Sequence, residues 1–439
     1  MQTPIVDFIR AYEKSGITRF HMPGHKGQSF LGMESSDLTE IRGADSLYEA
    51  DGIIAESESG ATSLFGSGRT LYSTEGSSQC IRAMLHLALC RRAPGASRTV
   101  VAARNVHKAF VYAAALLDFD VHWLWPQASG SICSCPITAQ ALERELSGLS
   151  APPAAVYITS PDYLGHIADV RTLSQVCRKH GTLLLVDNAH GAYLHFLNPP
   201  MHPLDLGADM CCDSAHKTLP VLTGGAYLHI GRHMPPAFSE KAKQALALFG
   251  STSPSYLTLA SLDGCNAYLS DGYAARLAAC IARVRSIKET LAQMGWQIMP
   301  SDPLRITLRA GEGLADHLRA HGIECEFSDR DFLVLMITPE NSEADLGRLT
   351  AALSAPPPSH LADISLALCQ PDQVLSIREA LFAPSETISI ETSVGRICSA
   401  PLVSCPPAIP IVISGERITP EAVSLLQYYG ATQIEVLAE

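Results

Sequence analysis

The sequence has few charged residues and no excess of positive charge. Of its 439 residues only 17% are charged, and the formal net charge is −12. Proteins that bind nucleic acid usually carry a basic face, so this balance argues against a nucleic-acid partner. The hydrophobic content of 47% indicates a well-buried globular protein rather than a disordered one. A chain of this length is expected to fold as two or three domains.

Long apolar runs are also missing. The most apolar long stretch, 109–125, contains Asp118 and Asp120, so it does not fit a membrane-spanning helix. The first ten residues include Asp7 and no long apolar core, which argues against a signal peptide. We therefore expect a cytoplasmic protein with no membrane partner.

Motifs for metal and nucleotide binding are absent as well. The 13 cysteines are scattered without zinc-ribbon spacing, as in cytosolic chains with reduced thiols. His21 and His25 flank Pro23-Gly24, so they cannot share a helix face as the histidines of an H-E-x-x-H zinc motif do. No Gly-Lys-Ser/Thr follows the glycines of 66–70 or 73–79, which excludes a P-loop. We expect no metal site.

What is present is an alternation of short β-type runs and helical patterns between residues 56 and 290. This alternation predicts a large α/β domain with a mainly parallel sheet. The expected strands are Thr99–Ala102, Val121–Leu124, Ala154–Thr159, Thr182–Val186 and Ala226–Ile230, and the expected long helices are Ser77–Arg91 and Ala274–Met294.

The rest of the chain divides by composition. We expect an N-terminal arm at 1–55, a small α/β domain at 291–356 and a C-terminal α+β module at 357–439. In the small domain, strands are predicted at 304–308 and 332–336 around a helix at 314–321. The tract Pro356–Ser359 marks the boundary before the last module.

Two residues near predicted strand ends point to a cofactor. The apolar run Thr182–Val186 leads into Asp187, and Lys217 follows the next apolar stretch, which ends in Cys211-Cys212. Pyridoxal phosphate (PLP) chemistry requires such a pair, because the lysine forms a Schiff base with the aldehyde and the carboxylate keeps the pyridine nitrogen protonated. Taken alone, Asp187 would be interpreted as a turn aspartate and Lys217 as a solvated loop lysine. The pair favours a PLP site.

Two further features fit that interpretation. Gly76, Ser77 and Ser78 open a predicted helix, where N–H groups and hydroxyls suit a phosphate. Taken alone, a simple helix cap is the more common explanation of such a turn. His107 follows a predicted strand and is placed to stack on the pyridine ring, although a lone histidine there is more often structural.

Several stretches have a distinctive sequence: Phe20–Gly27, Ala103–Lys108, Val186–Ala192, Ser214–Thr223, Ser251–Tyr256, Pro406–Pro410 and Ser414–Glu416. With them, the chain resembles the ornithine/lysine/arginine decarboxylase family over nearly its whole length. That family has the aspartate aminotransferase-like fold of fold type I PLP enzymes. The chain looks like the short form, without the N-terminal wing domain.

The resemblance implies PLP-dependent α-decarboxylation of arginine, lysine or ornithine to the corresponding amine and CO2. It gives catalytic roles to Lys217, His216, His107 and Asp187, and cofactor-binding roles also to His190, Gly76, Ser77, Ser78, Ser214, Thr252 and Ser253. In this assignment Lys217 forms the Schiff base, Asp187 pairs with the ring nitrogen and His107 stacks on the ring. Thr252 and Ser253 would reach the phosphate of a partner subunit, which implies a homodimer with shared active sites or a larger assembly of such dimers.

The chain departs from the family pattern at two positions near the expected site. Glu75 stands where the family usually has asparagine, and its carboxylate would repel a phosphate unless it turns away. Asn188 replaces the usual glutamate after the aspartate. Glu416 and Glu391 are candidate partners for the distal charge of the substrate. The alternative functions are another PLP-dependent reaction, such as transamination, and a catalytically idle PLP-binding regulatory dimer.

Overall fold

The computed structural model describes residues 1–90, 93, 95–126, 131–311, 313–354, 368, 370–401 and 409–439. Within them the α-helices are α1 (Pro4–Lys14), α2 (Ile53–Leu64), α3 (Ser77–Cys90), α4 (Lys108–Leu117), α5 (Ala139–Gly148), α6 (Val170–Lys179), α7 (Ala215–Thr218), α8 (Pro236–Ala247), α9 (Tyr256–Ser270), α10 (Tyr273–Gln293), α11 (Leu314–Ala320), α12 (Glu343–Ala352), α13 (Ile377–Phe382) and α14 (Pro420–Tyr428). Short 3-10 helices lie at Ala192–Phe196 and Ile390–Thr392.

The strands alternate with these helices through most of the chain. They are β1 (Arg69–Ser73), β2 (Val100–Ala103), β3 (Val121–Leu124), β4 (Ala155–Thr159), β5 (Leu183–Asp187), β6 (Met210–Asp213), β7 (Ala226–Ile230), β8 (Ile298–Met299), β9 (Arg305–Arg309), β10 (Phe327–Ser328), β11 (Phe332–Met336), β12 (Ser385–Ser389) and β13 (Gln433–Leu437).

The first of two compact units comprises Met1–Ala96 and Val170–Leu277. Its strands lie in the order β1-β7-β6-β5. β5 and β6 are parallel, whereas β7 runs antiparallel to both β6 and β1. β5 is an almost continuous apolar run with its last four residues buried, as expected for a strand that is covered on both faces.

The register of this sheet brings polar strand ends to one edge. Asp187 pairs with Cys212, and Asp213 follows Cys212 at the end of β6. Ser73, the last residue of β1, pairs with Ala226 of β7. Because β1, β5 and β6 run in the same direction, their carboxyl ends meet at one edge, the place where open α/β sheets bind ligands.

The second unit comprises Ser97–Asp169 and Ala278–Glu439. In it, β2 pairs in parallel with both β3 and β4. An antiparallel sheet has the order β10-β11-β9-β8, and β12 pairs with β13. These last two sheets lie in the ranges predicted for the small domain and the C-terminal module.

The predicted strands agree with β2, β3, β4, β5 and β7 to within one residue at each end. The two strands predicted in the small domain correspond equally well to β9 and β11. β1 and the short or late strands β8, β10, β12 and β13 were not predicted, and β6 was expected only as the apolar stretch that ends in Cys211-Cys212. The helix predicted at 274–294 is α10, and the one at 77–91 is α3, apart from Arg91, which lies outside the described residues. The boundary tract Pro356–Ser359 also lies outside them, so the predicted domain boundaries stay predictions.

In the described part of the chain, no helix combines the length and the apolar character that crossing a membrane requires. The cysteines described there are free thiols, and most of them are buried. Burial raises the pKa of the Cys80 thiol to about 12, so this side chain is protonated at neutral pH.

Candidate active site

Two strand ends of the first unit carry the predicted lysine and aspartate. β5 ends at Asp187, which is 2% exposed. β6 ends at Asp213, and Ser214 then leads into the single turn of α7, which presents Lys217. The parallel pairing of β5 and β6 therefore brings both loops to the same edge of the sheet.

Lys217 meets the loop that follows β5. Its Nζ lies 3.0 Å from Nε2 of His190, whose side chain is buried. The loop turns back because the N–H of Gly191 donates to the carbonyl of Asn188 (2.8 Å). The amine and the imidazole are thus within hydrogen-bonding distance, and a proton can pass between them.

Asp187 is held by hydrogen-bond donors from its own loop and from the neighbouring strand β6. Its Oδ1 accepts the N–H of Ala189 (3.1 Å) and the thiol of Cys212 (3.7 Å). Burial and the nearby Asp187 carboxylate raise the pKa of Cys212, so the thiol keeps its proton and acts as the donor. The carboxylate is fixed at the strand end, as the prediction requires.

His216 precedes the lysine and is half-buried. Its Nδ1 donates to the carbonyl of Gly225 (3.2 Å), which leaves Nε2 as the acceptor of the neutral ring. Burial and, to a smaller extent, the charge of Lys217 lower the pKa of His216 below the usual histidine value. The ring is therefore neutral at physiological pH and can accept a proton at Nε2.

The predicted phosphate turn is tied to the same loops. Gly76 has φ of +71°, a conformation that favours glycine, and its N–H donates to the carbonyl of Gly224 (2.7 Å). Ser77 and Ser78 are the first residues of α3, where backbone N–H groups have no acceptor within the helix. Since His216 binds the adjacent Gly225, one short segment connects the phosphate turn with the lysine turn.

Glu75 turns away from the helix start. Its Oε1 accepts the backbone N–H of Ser251 (2.9 Å), and the side chain is exposed. A phosphate can bind at Gly76–Ser78 only if this carboxylate points elsewhere. The contact with Ser251 holds it in such a position.

The other predicted residues are located as follows. Ser214 is buried beside His216, with 3.4 Å between its Oγ and Nδ1 of the ring. Thr252 and Ser253 are exposed in the loop before α9. His107 belongs to the second unit, where it caps α4 by accepting the N–H of Ala109 on its Nδ1 (3.1 Å). The ring-stacking role of His107 and the roles of Thr252 and Ser253 stay predictions.

A buried polar cluster beneath the lysine turn was not predicted. The carboxylate of Asp213, which is fully buried, accepts hydrogen bonds from Nε2 of His202 and Nε2 of His229, both at 3.1 Å to Oδ2. A third donor is Nδ2 of Asn188, 2.6 Å from Oδ1. His229 in turn binds Thr70 Oγ1 through Nδ1 (2.8 Å). His202 and His229 carried no signal in the sequence, because they lie in a loop and in a different strand.

Part of this cluster also has the composition of a metal site. Ligand atoms of His202, Cys211 and Asp213 lie within 4.8 Å of one another. However, the N–H of Leu204 points at Nδ1 of His202 (3.4 Å), so Nδ1 is the acceptor and Nε2 carries the proton that it donates to Asp213. A metal at Nε2 would need that proton on Nδ1 instead. The geometry therefore favours a hydrogen-bonded network.

Glu416 does not serve as a free carboxylate. In the second unit it forms a bidentate ion pair with Arg104, with both N–O distances at 2.7 Å and side chains that are 2% and 0% exposed. It also accepts the N–H of Ile413 (2.9 Å). Removing one partner of a buried pair typically costs 3–5 kcal/mol. Glu416 is thus a structural partner of Arg104, and its suggested role as the partner of the substrate's distal charge is wrong.

Comparison with known families identifies the chain. The profile described as Orn/Lys/Arg decarboxylase, major domain, matches residues 3–322, and the C-terminal domain of the same family matches residues 370–435. The chain belongs to the Orn/Lys/Arg decarboxylase family. The predicted family and the predicted enzyme class, an amino-acid decarboxylase, are confirmed. The turn at Pro406-Pro407-Ala408, one of the motifs of the resemblance, lies outside the described residues.

Named relatives cover almost the whole chain. An arginine decarboxylase of Halalkalibacterium halodurans is 29% identical, with 95% of this chain and 91% of the relative aligned. The uncharacterized protein YaaO of Bacillus subtilis is also 29% identical, with 97% and 94% aligned.

Solved structures of a lysine decarboxylase and of SPT share the fold. The lysine decarboxylase LdcF of Francisella novicida superposes with a TM-score of 0.82 at 18% identity, covering 99% of this chain and 81% of that one. SPT, solved with PLP, superposes with a TM-score of 0.55 at 16% identity, covering 80% and 83%. The predicted fold, α/β of fold type I, is confirmed.

Proposed function

We propose that this family member is a PLP-dependent α-decarboxylase of a basic amino acid. The observation that carries the proposal is the contact between Lys217 Nζ and His190 Nε2 (3.0 Å), with Asp187 buried at the end of the adjacent parallel strand. An amine, a proton-exchange partner and a fixed carboxylate at one sheet edge are what a pyridine aldehyde cofactor needs.

The residues present fit PLP. Lys217 would hold the cofactor covalently, and Asp187 would face its ring nitrogen. Ser77 and Ser78 would hold its phosphate with backbone N–H groups at the start of α3, next to the turn at Gly76. Glu75 does not oppose this, because its carboxylate is engaged by Ser251. When bound, PLP supplies a ring that accepts the electron pair released as CO2 departs.

The chain's own residues handle the protons. His190 Nε2 is close enough to take a proton from Lys217 Nζ or return it. The neutral ring of His216 keeps Nε2 available, because Nδ1 is committed to Gly225. We assign to Lys217 or His216 the delivery of the proton to the substrate carbon after the carboxylate has left.

Arginine is the first substrate to test, followed by lysine and ornithine. The named sequence relative of Halalkalibacterium halodurans is an arginine decarboxylase, and the Francisella novicida structure is a lysine decarboxylase. The net charge of −12 would also attract a cationic substrate at long range.

The test is a product profile. The purified protein with PLP is incubated with arginine, lysine and ornithine, and agmatine, cadaverine, putrescine and CO2 are quantified. One of the amines should form in equal amount to CO2. A keto acid without CO2 would indicate transamination, and a PLP-loaded protein that releases no product from any of the three would be an idle binding protein. Either result contradicts the proposal.

We further propose that the protein works as a homodimer in which Thr252 and Ser253 contact the phosphate bound by the partner subunit. Their exposure in the loop before α9 is consistent with this role, since each chain leaves both side chains accessible.

A further inference from the structure

The ends of β5 and β6 are joined by a buried contact between an amide and a carboxylate. Asn188 Nδ2 donates to Asp213 Oδ1 at 2.6 Å, and both side chains are fully buried. The backbone repeats the link, because the N–H of Asn188 donates to the carbonyl of Cys212 (3.0 Å). Asn188 directly follows Asp187, and Asp213 lies four residues before Lys217. The contact therefore connects the two loops that carry the proposed site.

Asp213 is held firmly enough to serve as an anchor. Besides Asn188, its carboxylate accepts hydrogen bonds from His202 and His229. These two histidines lower the pKa of Asp213, so it remains ionised although it is buried. Burial lowers the pKa of His229, which keeps that ring neutral. An ionised acceptor with three N–H donors is a strong and directional partner for the amide.

Asn188, held by Asp213, in turn fixes the loop that contains His190. The carbonyl oxygen and Cγ of its side chain face Gly191 so closely that a Cβ at Gly191 would overlap both atoms. The backbone carbonyl of Asn188 also accepts the Gly191 N–H. His190 lies between these two residues, so the position of its ring depends on the turn that Asn188 fixes.

We propose that Asn188 and Asp213 form a positioning pair that holds His190 against Lys217 and keeps the β5 and β6 loops in register. The pair does not touch the reacting atoms. Asn188 is one of the positions at which the chain departs from the family pattern, so this pair belongs to the chain's own version of the site. The inference deepens the proposed function and rests on it for the role of Lys217.

The first experiment measures Lys217 itself and needs no cofactor. PLP-free protein is treated with a trace of acetic anhydride between pH 6 and 11, and acetylation of Lys217 is quantified by mass spectrometry. In Asn188→Ala the pH midpoint of acetylation should differ from wild type by at least about half a pH unit, since the His190 contact is loosened. The matched control is Asn266→Ala, because Asn266 is also a buried asparagine but binds Tyr72 and Tyr227 instead.

The second experiment measures cofactor binding and turnover. Asn188→Ala should weaken PLP binding about tenfold and reduce kcat by about 10- to 100-fold with KM changed less than about threefold, as misplaced catalytic groups do. Asn266→Ala should lower the melting temperature without changing either value. If both variants lose only thermal stability, or both shift Lys217 reactivity equally, the positioning role is refuted.

A charge exchange provides the rescue test. Asn188→Asp alone brings two buried carboxylates together and should impair PLP binding more than Asn188→Ala does. Adding Asp213→Asn restores one amide–carboxylate contact between the same positions, so the double variant should recover at least about tenfold in PLP affinity over Asn188→Asp. A double variant no better than the single one contradicts the proposal. A wild-type protein that binds PLP but makes no amine would refute the proposed function. The PLP affinities of the variants would still test the positioning pair.

Discussion

Lys217 carries most of the proposed chemistry at the residue scale, because its amine lies beside the buried imidazole of His190. The signal for Lys217 and Asp187 was local in the sequence, since each follows an apolar run that ends at the sheet edge. The cluster around Asp213 gave no such signal, because its partners His202 and His229 come from distant parts of the chain. Contacts between distant residues have no periodicity that a single sequence can reveal.

Replacing Lys217 with alanine should abolish the visible absorbance of bound PLP and all amine release, because the covalent attachment point is removed. The melting temperature of the PLP-free protein should change little, since Lys217 is only half-buried. Lys241→Ala is the control: that lysine is exposed on α8 and binds Gln244. Retained visible absorbance in Lys217→Ala would place the attachment at another lysine.

The fall of activity at the acid end of the pH profile should follow the protonation of His216. If the neutral ring is needed, activity is present above its pKa and lost as the pH falls through it. Burial lowers that pKa, so the midpoint of the acid limb of kcat should lie below 6.5. His216→Asn keeps an N–H donor for Gly225 but removes the basic ring nitrogen that would take up a proton. It should lower kcat about 10²- to 10⁴-fold while PLP binding is retained. Unchanged kcat in this variant would exclude His216 from proton transfer.

At the scale of elements, the parallel strands were predictable and β1 was not. β5 reads as a continuous apolar run because it is covered on both faces. β1 contains the polar residues Arg69, Thr70 and Ser73. The burial of the last two depends on partners far away in sequence, such as His229 for Thr70. The phosphate turn was visible only as a helix start, since its link to Gly224 exists only in the folded chain.

The Gly224 turn offers a test of this link. Gly224 has φ of +95°, and a Cβ there would lie 2.8 Å from the carbonyl oxygen of Thr74. Gly224→Ala should therefore destabilise the protein by about 2–4 kcal/mol and weaken PLP binding. Gly264→Ala is the matched control. Gly264 lies inside α9, and a Cβ there would come no closer than 3.9 Å to its nearest neighbour, Val6. That change should be neutral or stabilise by up to about 1 kcal/mol. Chemical denaturation measures the free energy of unfolding of both variants, and titration measures their PLP affinity. Equal effects in the two variants would argue against strain at Gly224.

At the scale of the whole molecule, the proposed dimer makes each site depend on two chains. Lys217 would come from one protomer, and Thr252 and Ser253 from the other. Dimers that combine two inactive variants distinguish this arrangement from a site built within one chain. One protein carries Lys217→Ala, and the other carries Thr252→Ala together with Ser253→Ala.

If the sites are shared, a mixed dimer contains one site with both defects and one site with none. The intact site takes its lysine from the Thr252/Ser253 variant and its hydroxyls from the Lys217 variant, so about half of the wild-type activity returns per mixed dimer. If each site is built within one chain, every site in the mixture keeps a defect and no activity returns. The two chains are co-expressed with different tags, purified through both, and sized against the 47.0 kDa protomer before assay. Recovery of activity by mixed dimers, and not by either variant alone, would establish that Thr252 and Ser253 act across the subunit boundary.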